Sequence, residues 1–172
     1  MRSLLLSMLA IWVVTGVAQG EDLQPLKLFA VTGSAAGNEV DYLAERKDKT
    51  TIYLFLNGAV WDRPIARYVK VLDTKLADGI EKAKDAHVVA VWLSDDAAKG
   101  KEYLPKAQQS LNLSKTDWTV FSGSADGPTG WNIDKANHLT VVLVRGNKET
   151  ARFQYKSTND TDVPELLKAL EK

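Results

Sequence analysis

Along this chain, compact apolar runs alternate with segments in which apolar residues recur at the spacing of an amphipathic helix. Segments 50–57 and 87–94 are dense in β-branched and aromatic residues, with few polar interruptions. Such runs are typical of central strands buried on both faces. Between them, apolar residues recur at helical spacing and charged residues fill the other face. The apolar set is Ile65, Tyr68, Val69, Leu72, Leu76, Ile80 and Ala83.

The second buried run is followed by polar residues that can start a helix. Ser94, Asp95 and Asp96 can each accept hydrogen bonds from the first free amides of a helix that runs towards Leu111. Pro105 lies within that helix, and we expect it to interrupt or bend the helix because proline cannot donate a backbone hydrogen bond.

The C-terminal third predicts a strand, a hairpin and a helix. Residues 117–123 form a short β-rich run, and residues 138–156 contain two such runs joined by a turn at Gly146 and Asn147. In the last segment, Asp162 and Glu165 have the spacing of a capping box ahead of an apolar stripe. The stripe consists of Val163, Leu166, Leu167 and Leu170.

The order of these elements predicts an α/β fold. Residues 26–32 supply an opening strand, and a loop follows as far as residue 49. Strands that alternate with helices favour a mainly parallel sheet covered on both faces, and the terminal hairpin adds antiparallel strands. We therefore predict a central mixed sheet flanked by helices.

The N-terminus has the pattern of a secretory signal peptide. Arg2 precedes a long apolar run, and the small residues Ala18 and Gly20 have the spacing that signal peptidase accepts. We predict a signal peptide over residues 1–20, with cleavage after Ala18 as the alternative, and one domain over residues 21–172. An uncleaved anchor or a buried helix would also be apolar, but this run is short for a membrane span and polar residues follow at once. We expect export to a periplasm or to the medium, with no stable membrane anchor after cleavage.

The charge balance excludes partners that act through long-range electrostatics. The 172 residues include 22 basic and 22 acidic side chains, so the formal net charge is zero. No global field attracts nucleic acid or anionic lipid, and we predict no nucleic-acid partner. Any ligand must be held by a local site.

Candidate chemistry centres on the turn from Trp61 to Pro64, between the first buried strand and the helix after it. Asp62 can cap that helix, and Pro64 suits its first turn. The chain has no cysteine and two histidines, without the ligand spacing of a zinc site. We predict no metal and no cofactor.

The turn lies in a context that resembles a known family. The stretch "LFLNGAVWDRPIARYV", residues 54–69, resembles the passage of thioredoxin-like proteins in which a buried strand meets a helix that carries reactive cysteine. A W-C-x-x-C register, as in thioredoxins and periplasmic thiol oxidoreductases, places Trp61 and Pro64 at the cysteine positions. A C-P register, as in peroxiredoxins and other redoxins, places Arg63 at the cysteine and keeps Pro64; we prefer this register.

A second landmark of the family also has a counterpart. Thioredoxin-like proteins carry a cis-proline before the strand that faces the active-site loop. The stretch "WNIDKANHLTVVLV", residues 131–144, is similar, but His138 occupies the proline position. The resemblance covers about residues 25–172 and implies a thioredoxin-like fold without its active-site cysteines. Without sulfur the chain cannot carry out thiol–disulfide exchange or thiol peroxidase chemistry.

Two functional hypotheses follow from the resemblance. The first is an exported, redox-inactive binding or scaffold module that holds an extended polypeptide or an exported protein at the old active-site corner or at the sheet edge. The second is a non-redox enzyme or small-ligand binder that uses Trp61, Arg63 and His138. The candidate binding residues are Trp61, Asp62, Arg63, Asn137 and His138, and none is assigned as catalytic. The competing structural interpretation is that Asp62 caps the helix, Arg63 is solvated or pairs with a nearby carboxylate, and Trp61 and His138 have structural packing roles.

Overall fold

Two parallel strands form the centre of the structure, a computed structural model that describes residues 22–172. Strand β3 spans Thr51–Asn57 and strand β4 spans His87–Leu93, as the apolar runs predict. They pair in parallel along their whole length. Successive side chains point to opposite faces of a strand, so each strand contributes to two separate apolar cores.

Seven strands make up one mixed sheet, in the order β2–β1–β5–β4–β3–β6–β7. The central strands β3, β4 and β5 are parallel, and the other neighbouring pairs are antiparallel. The predicted mixed sheet with its C-terminal hairpin is confirmed, and the parallel part is confined to these three strands. The other strands are β1 (Lys27–Ala30), β2 (Glu39–Asp41), β5 (Thr116–Val120), β6 (Leu139–Arg145) and β7 (Lys148–Tyr155).

The three long helices pack on one face of the sheet. They are α2 (Arg63–Asp78), α3 (Ala97–Leu111) and α4 (Val163–Leu170), and their buried residues share one core. Both crossovers between parallel strands step in the same direction across the sheet, so the right-handed rule places α2 and α3 on the same face. The second face carries only the four-residue helix α1 (Tyr42–Glu45) and loop segments around Leu26 and Trp131.

Some predicted boundaries are wrong, for local reasons. Helix α2 ends at Asp78 and does not reach Ala83, because Gly79 leaves the helical region with φ of +94°. Ala83 is still buried, in a separate 3₁₀ turn. Helix α3 is continuous through Pro105.

The segments before β3 and before α4 also differ from expectation. Residues 39–45, predicted as loop, form β2 and α1. The capping box before α4 lies one turn earlier than predicted, since the side chain of Asp162 accepts a hydrogen bond from the Asn159 amide at 3.0 Å. The predicted signal peptide lies outside the described residues. Among residues 22–172, no helix is long and apolar enough to cross a membrane.

A buried carboxylate joins α2 to the segment between α3 and β5. Asp73 is 1% exposed and accepts hydrogen bonds from the backbone amides of Ser114 and Lys115, the latter at 2.8 Å. The hydroxyl of Thr116 donates to the same carboxylate at 2.8 Å. Because several donors share one buried anion, this contact fixes where β5 begins relative to α2.

We predict that Asp73→Ala lowers the free energy of unfolding by about 2 to 4 kcal/mol, since buried amides lose their acceptor. Asp73→Asn keeps one acceptor oxygen and should cost less. The matched control is Asp78→Ala, an exposed carboxylate on the same helix, which should change stability by no more than about 0.5 kcal/mol. Urea unfolding measures all three; equal stability of the two alanine variants would contradict the role of Asp73.

Candidate functional site

A short corner connects the end of β3 to the start of α2. The side chain of Asn57 accepts a hydrogen bond from the Ala59 amide at 3.0 Å and so starts a 3₁₀ turn over residues 58–60. Asp62 then caps α2 by accepting from the Ile65 amide at 3.0 Å, and Pro64 lies in the first turn. The predicted cap and helix start are confirmed.

Trp61 lies in this corner and holds it against α3. Its indole N–H donates to the Tyr103 hydroxyl at 2.9 Å. Its ring meets the rings of Trp92 and Trp118 edge-on, with centroid distances of 5.7 and 5.6 Å. Trp61 is therefore half-buried against β4 and β5 and bonded to α3.

Trp92, near the end of β4, fills the space between the corner and α3. A Cβ atom added to Gly58 would lie 2.6 Å from the Trp92 ring, and one added to Gly100 would lie 2.9 Å from it. Both glycines are needed for steric reasons, because the ring occupies the space a side chain would take. Gly58 in the corner and Gly100 in α3 are thus held apart by the indole of Trp92.

A surface groove of about 420 Å³ runs between the start of α2 and α3. Its α3 side consists of positions with helical spacing, which form a single stripe along that helix. Small side chains at Ala66 and Ala107 face it from the two helices and leave room between them. The groove is lined by Trp61, Asp62, Arg63, Ala66, Tyr103, Lys106, Ala107, Ser110 and Leu111.

Hydrogen bonds join the two walls at both ends of the groove. At one end is the bond from Trp61 to Tyr103. At the other, the ammonium group of Lys70, one turn beyond Ala66 on α2, donates to the Asn112 carbonyl at 3.1 Å. Side-chain hydrogen bonds therefore link the two helices on either side of the groove.

The cations of the groove are weakly engaged. Arg63 forms no ion pair within residues 22–172. Lys106 lies 3.6 Å from Glu102 on an exposed surface, where such pairs contribute little. The one acidic lining residue is Asp62, and an oxygen of its carboxylate is already bonded to the Ile65 amide.

No family model and no curated protein matches this sequence, but several solved structures match its fold. A peroxiredoxin-like protein from Aquifex aeolicus is 13% identical, with a TM-score of 0.57 over 88% of this chain and 86% of that chain. The peroxidoxin BcpB from Mycobacterium tuberculosis is 12% identical, with a TM-score of 0.61 over 88% and 95%. BsSco, a member of the Sco family of cytochrome c oxidase assembly proteins, is 15% identical, with a TM-score of 0.60 over 90% and 95%.

The protein has a thioredoxin-like fold. It also lacks cysteine altogether, so the predicted resemblance to a thioredoxin-like domain without its reactive residues is confirmed. At the corner where the resemblance implies a reactive sulfur, the thioredoxin-like fold here presents Trp61 and Arg63 to a groove.

Three of the five predicted site residues line the groove. Trp61, Asp62 and Arg63 line the groove, and Asn137 and His138 do not. Asn137 is 9% exposed. The backbone of His138 pairs on both sides, accepting from the Asn57 amide at 3.1 Å and donating to the Tyr155 carbonyl at 2.8 Å. A functional role for either group stays a prediction.

The second histidine belongs to a different part of the thioredoxin-like fold. His87 begins β4, and its Nε2 atom lies 3.1 Å from a carboxylate oxygen of Asp117 on β5. Tyr42 donates to the same carboxylate at 3.5 Å, and burial together with that negative charge raises the pKa of the phenol. The Asp117 carboxylate therefore joins α1 and β4 to β5, and His87 has a structural role. Residues 22–172 contain no cluster of histidine and carboxylate side chains that could hold a metal ion.

Sequence patterns alone did not identify the α3 wall. Tyr103, Lys106 and Ser110 are exposed residues of α3, whereas Gly100, Leu104 and Ala107 are its buried ones. One clue was available: Tyr103 is an aromatic residue, and in the structure it is 42% exposed. Its pairing with Trp61 requires the tertiary fold.

We predict that Gly100→Ala destabilises the protein by about 1 kcal/mol or more, although alanine alone would favour a helix by about 1 kcal/mol. The added methyl group contacts the Trp92 ring, and the ring has little room to move because it also lies close to Gly58. Gln109→Ala, at an exposed position of the same helix, is the matched control and should be neutral or slightly stabilising. Thermal unfolding distinguishes the two. A stabilised Gly100→Ala variant would show that the ring has room to move.

Proposed function

We propose that this protein is an exported, redox-inactive binding module that holds a segment of polypeptide in the groove between α2 and α3. The supporting observation is the groove at the corner, with Trp61, Tyr103 and Arg63 in its walls. Tryptophan, tyrosine and arginine are the residue types that most often dominate the binding energy of protein interfaces. Side-chain hydrogen bonds already join the two helices that form the walls, which favours binding because less conformational freedom is lost.

The alternative is a small-ligand binder or a non-redox enzyme that uses Trp61, Arg63 and His138. The groove volume of about 420 Å³ is within the range of small-molecule sites. We favour a polypeptide because the walls include side chains that are largely exposed, Tyr103 and Arg63 among them, whereas small-molecule sites usually enclose most of the ligand. His138 is not among the lining residues, so an enzyme that needs both Arg63 and His138 has less support.

Binding of a labelled, permanently unfolded polypeptide tests the proposal, with fluorescence anisotropy as the measurement. We expect Trp61→Ala and Tyr103→Ala each to weaken binding by about tenfold, the order typical of an aromatic anchor. Tyr103→Ala is the cleaner variant because that side chain is more exposed than Trp61, which packs against the core.

The matched control is Phe153→Ala, which removes an aromatic ring from the edge strand β7. We expect it to bind like the wild type. A loss of binding in Phe153→Ala with no loss in the two groove variants would indicate that the polypeptide binds at the sheet edge. Equal binding by wild type and both groove variants would remove the corner from consideration.

Export is tested by expressing the full chain in a secretory host and determining the N-terminal residue of the exported protein by mass spectrometry. We expect Glu21 at the N-terminus, since Ala18 and Gly20 place small residues at the cleavage site. A chain that begins at Gln19 would indicate the alternative cleavage after Ala18. A soluble intracellular chain that retains Met1 would contradict export.

A further inference from the structure

The groove lies at the N-terminus of α2, but the amides of that helix are largely occupied. Asp62 accepts hydrogen bonds from Ile65 through its side chain and from Ala66 through its carbonyl, both at 3.0 Å. Pro64 has no amide hydrogen. Only one amide of the first turn, that of Arg63, is left without an assigned acceptor. A bound anion would therefore have to be held by side chains and could not rest in a cradle of backbone amides.

Two side chains in the groove carry the positive charge that could hold an anion. Arg63 lies at the start of α2 and Lys106 in the middle of α3, so they approach the groove from opposite walls. Arg63 has no ion pair among the described residues, and the contact of Lys106 with Glu102 joins groups that are 71% and 80% exposed. Such a pair is worth little, so an arriving carboxylate can replace Glu102 at small cost.

The floor and one end of the groove are apolar. Ala66, Ala107 and Leu111 lie beside the two cations, and the rings of Trp61 and Tyr103 close one end. Because the two helices face each other through alanine, there is space for an apolar side chain. Aromatic rings next to a cationic group suit a ligand that is apolar at one end and negatively charged at the other.

We infer that the groove selects a polypeptide segment in which an apolar side chain lies next to the carboxylate of an Asp or Glu side chain. This rests on the proposed function, and adds the chemical class of the segment. The apolar side chain occupies the space between Ala66 and Ala107, and the carboxylate pairs with Arg63 and Lys106.

Three labelled peptides of otherwise identical sequence test this selection. The first has an internal Phe-Asp pair and an amidated end, the second ends in Phe with a free carboxylate, and the third has an internal Phe-Lys pair and an amidated end. We expect the first peptide to bind most tightly and the third to bind about tenfold or more weakly than the first, because the lysine of the third repels Arg63 and Lys106. Comparison of the first two distinguishes the source of the carboxylate.

Variants of the groove test the same contact from the protein side. Arg63→Gln and Lys106→Gln should each weaken binding of the Phe-Asp peptide by about fivefold and reduce its advantage over the third peptide, because each variant keeps one of the two cations. Lys75→Gln, an exposed cation on α2 outside the groove, is the matched control and should leave binding unchanged. Ala66→Leu should fill the groove and weaken all three peptides alike.

The outcomes separate this inference from the proposed function. If all three peptides bind equally and Tyr103→Ala weakens them all, the groove binds polypeptide and the selection for a carboxylate is wrong. If no peptide binds the wild type, the inference and the polypeptide-binding proposal both fail. If the acidic peptides bind more tightly than the third peptide, and Arg63→Gln and Lys106→Gln keep that preference undiminished, the carboxylate is held elsewhere and the assignment to this groove is wrong.

Discussion

The packing of one indole ring between two glycines determines how the corner and α3 are spaced. Trp92 fills the volume between Gly58 and Gly100 so closely that neither could carry a Cβ atom without displacing the ring. The same ring meets Trp61 edge-on and lies 6.1 Å from Tyr103, centroid to centroid. The groove depends on this contact, because a smaller residue at position 92 would let α3 approach the start of α2.

The arrangement of the sheet places the contact of Trp92 with the two glycines at the C-terminal ends of the parallel strands. Strands β3 and β4 are parallel neighbours, so the corner that follows β3 and the segment that leads from β4 into α3 emerge on the same side. The crossovers place both helices on one face, and Asp73 ties α2 to the start of β5. In the proteins that the corner resembles, such an edge presents a reactive sulfur. In this cysteine-free chain it presents an aromatic and cationic groove, which we interpret as a binding surface.

Features that depend on nearby residues could be predicted from the sequence. The apolar runs predict β3 and β4, and the start of α2 is predicted because Asp62 caps the next turn and Pro64, which has no amide hydrogen, suits a first turn. Features that depend on distant residues could not. Trp61 and Tyr103 are 42 positions apart, and no local pattern pairs them. The position of α2's end was missed because the apolar spacing continues beyond Gly79, whereas the positive φ there ends the helix.

The central claim is that polypeptide binds in the groove between α2 and α3. It is tested most directly by a two-dimensional ¹H–¹⁵N NMR titration of the wild-type protein with the acidic peptide. We predict the largest shifts at the indole N–H of Trp61, which is bonded to Tyr103 in the free protein, and at the amides of Lys106 and Ser110. Shifts confined to the edge strand β7 or to the surroundings of His138, with the Trp61 indole unmoved at saturation, would contradict it.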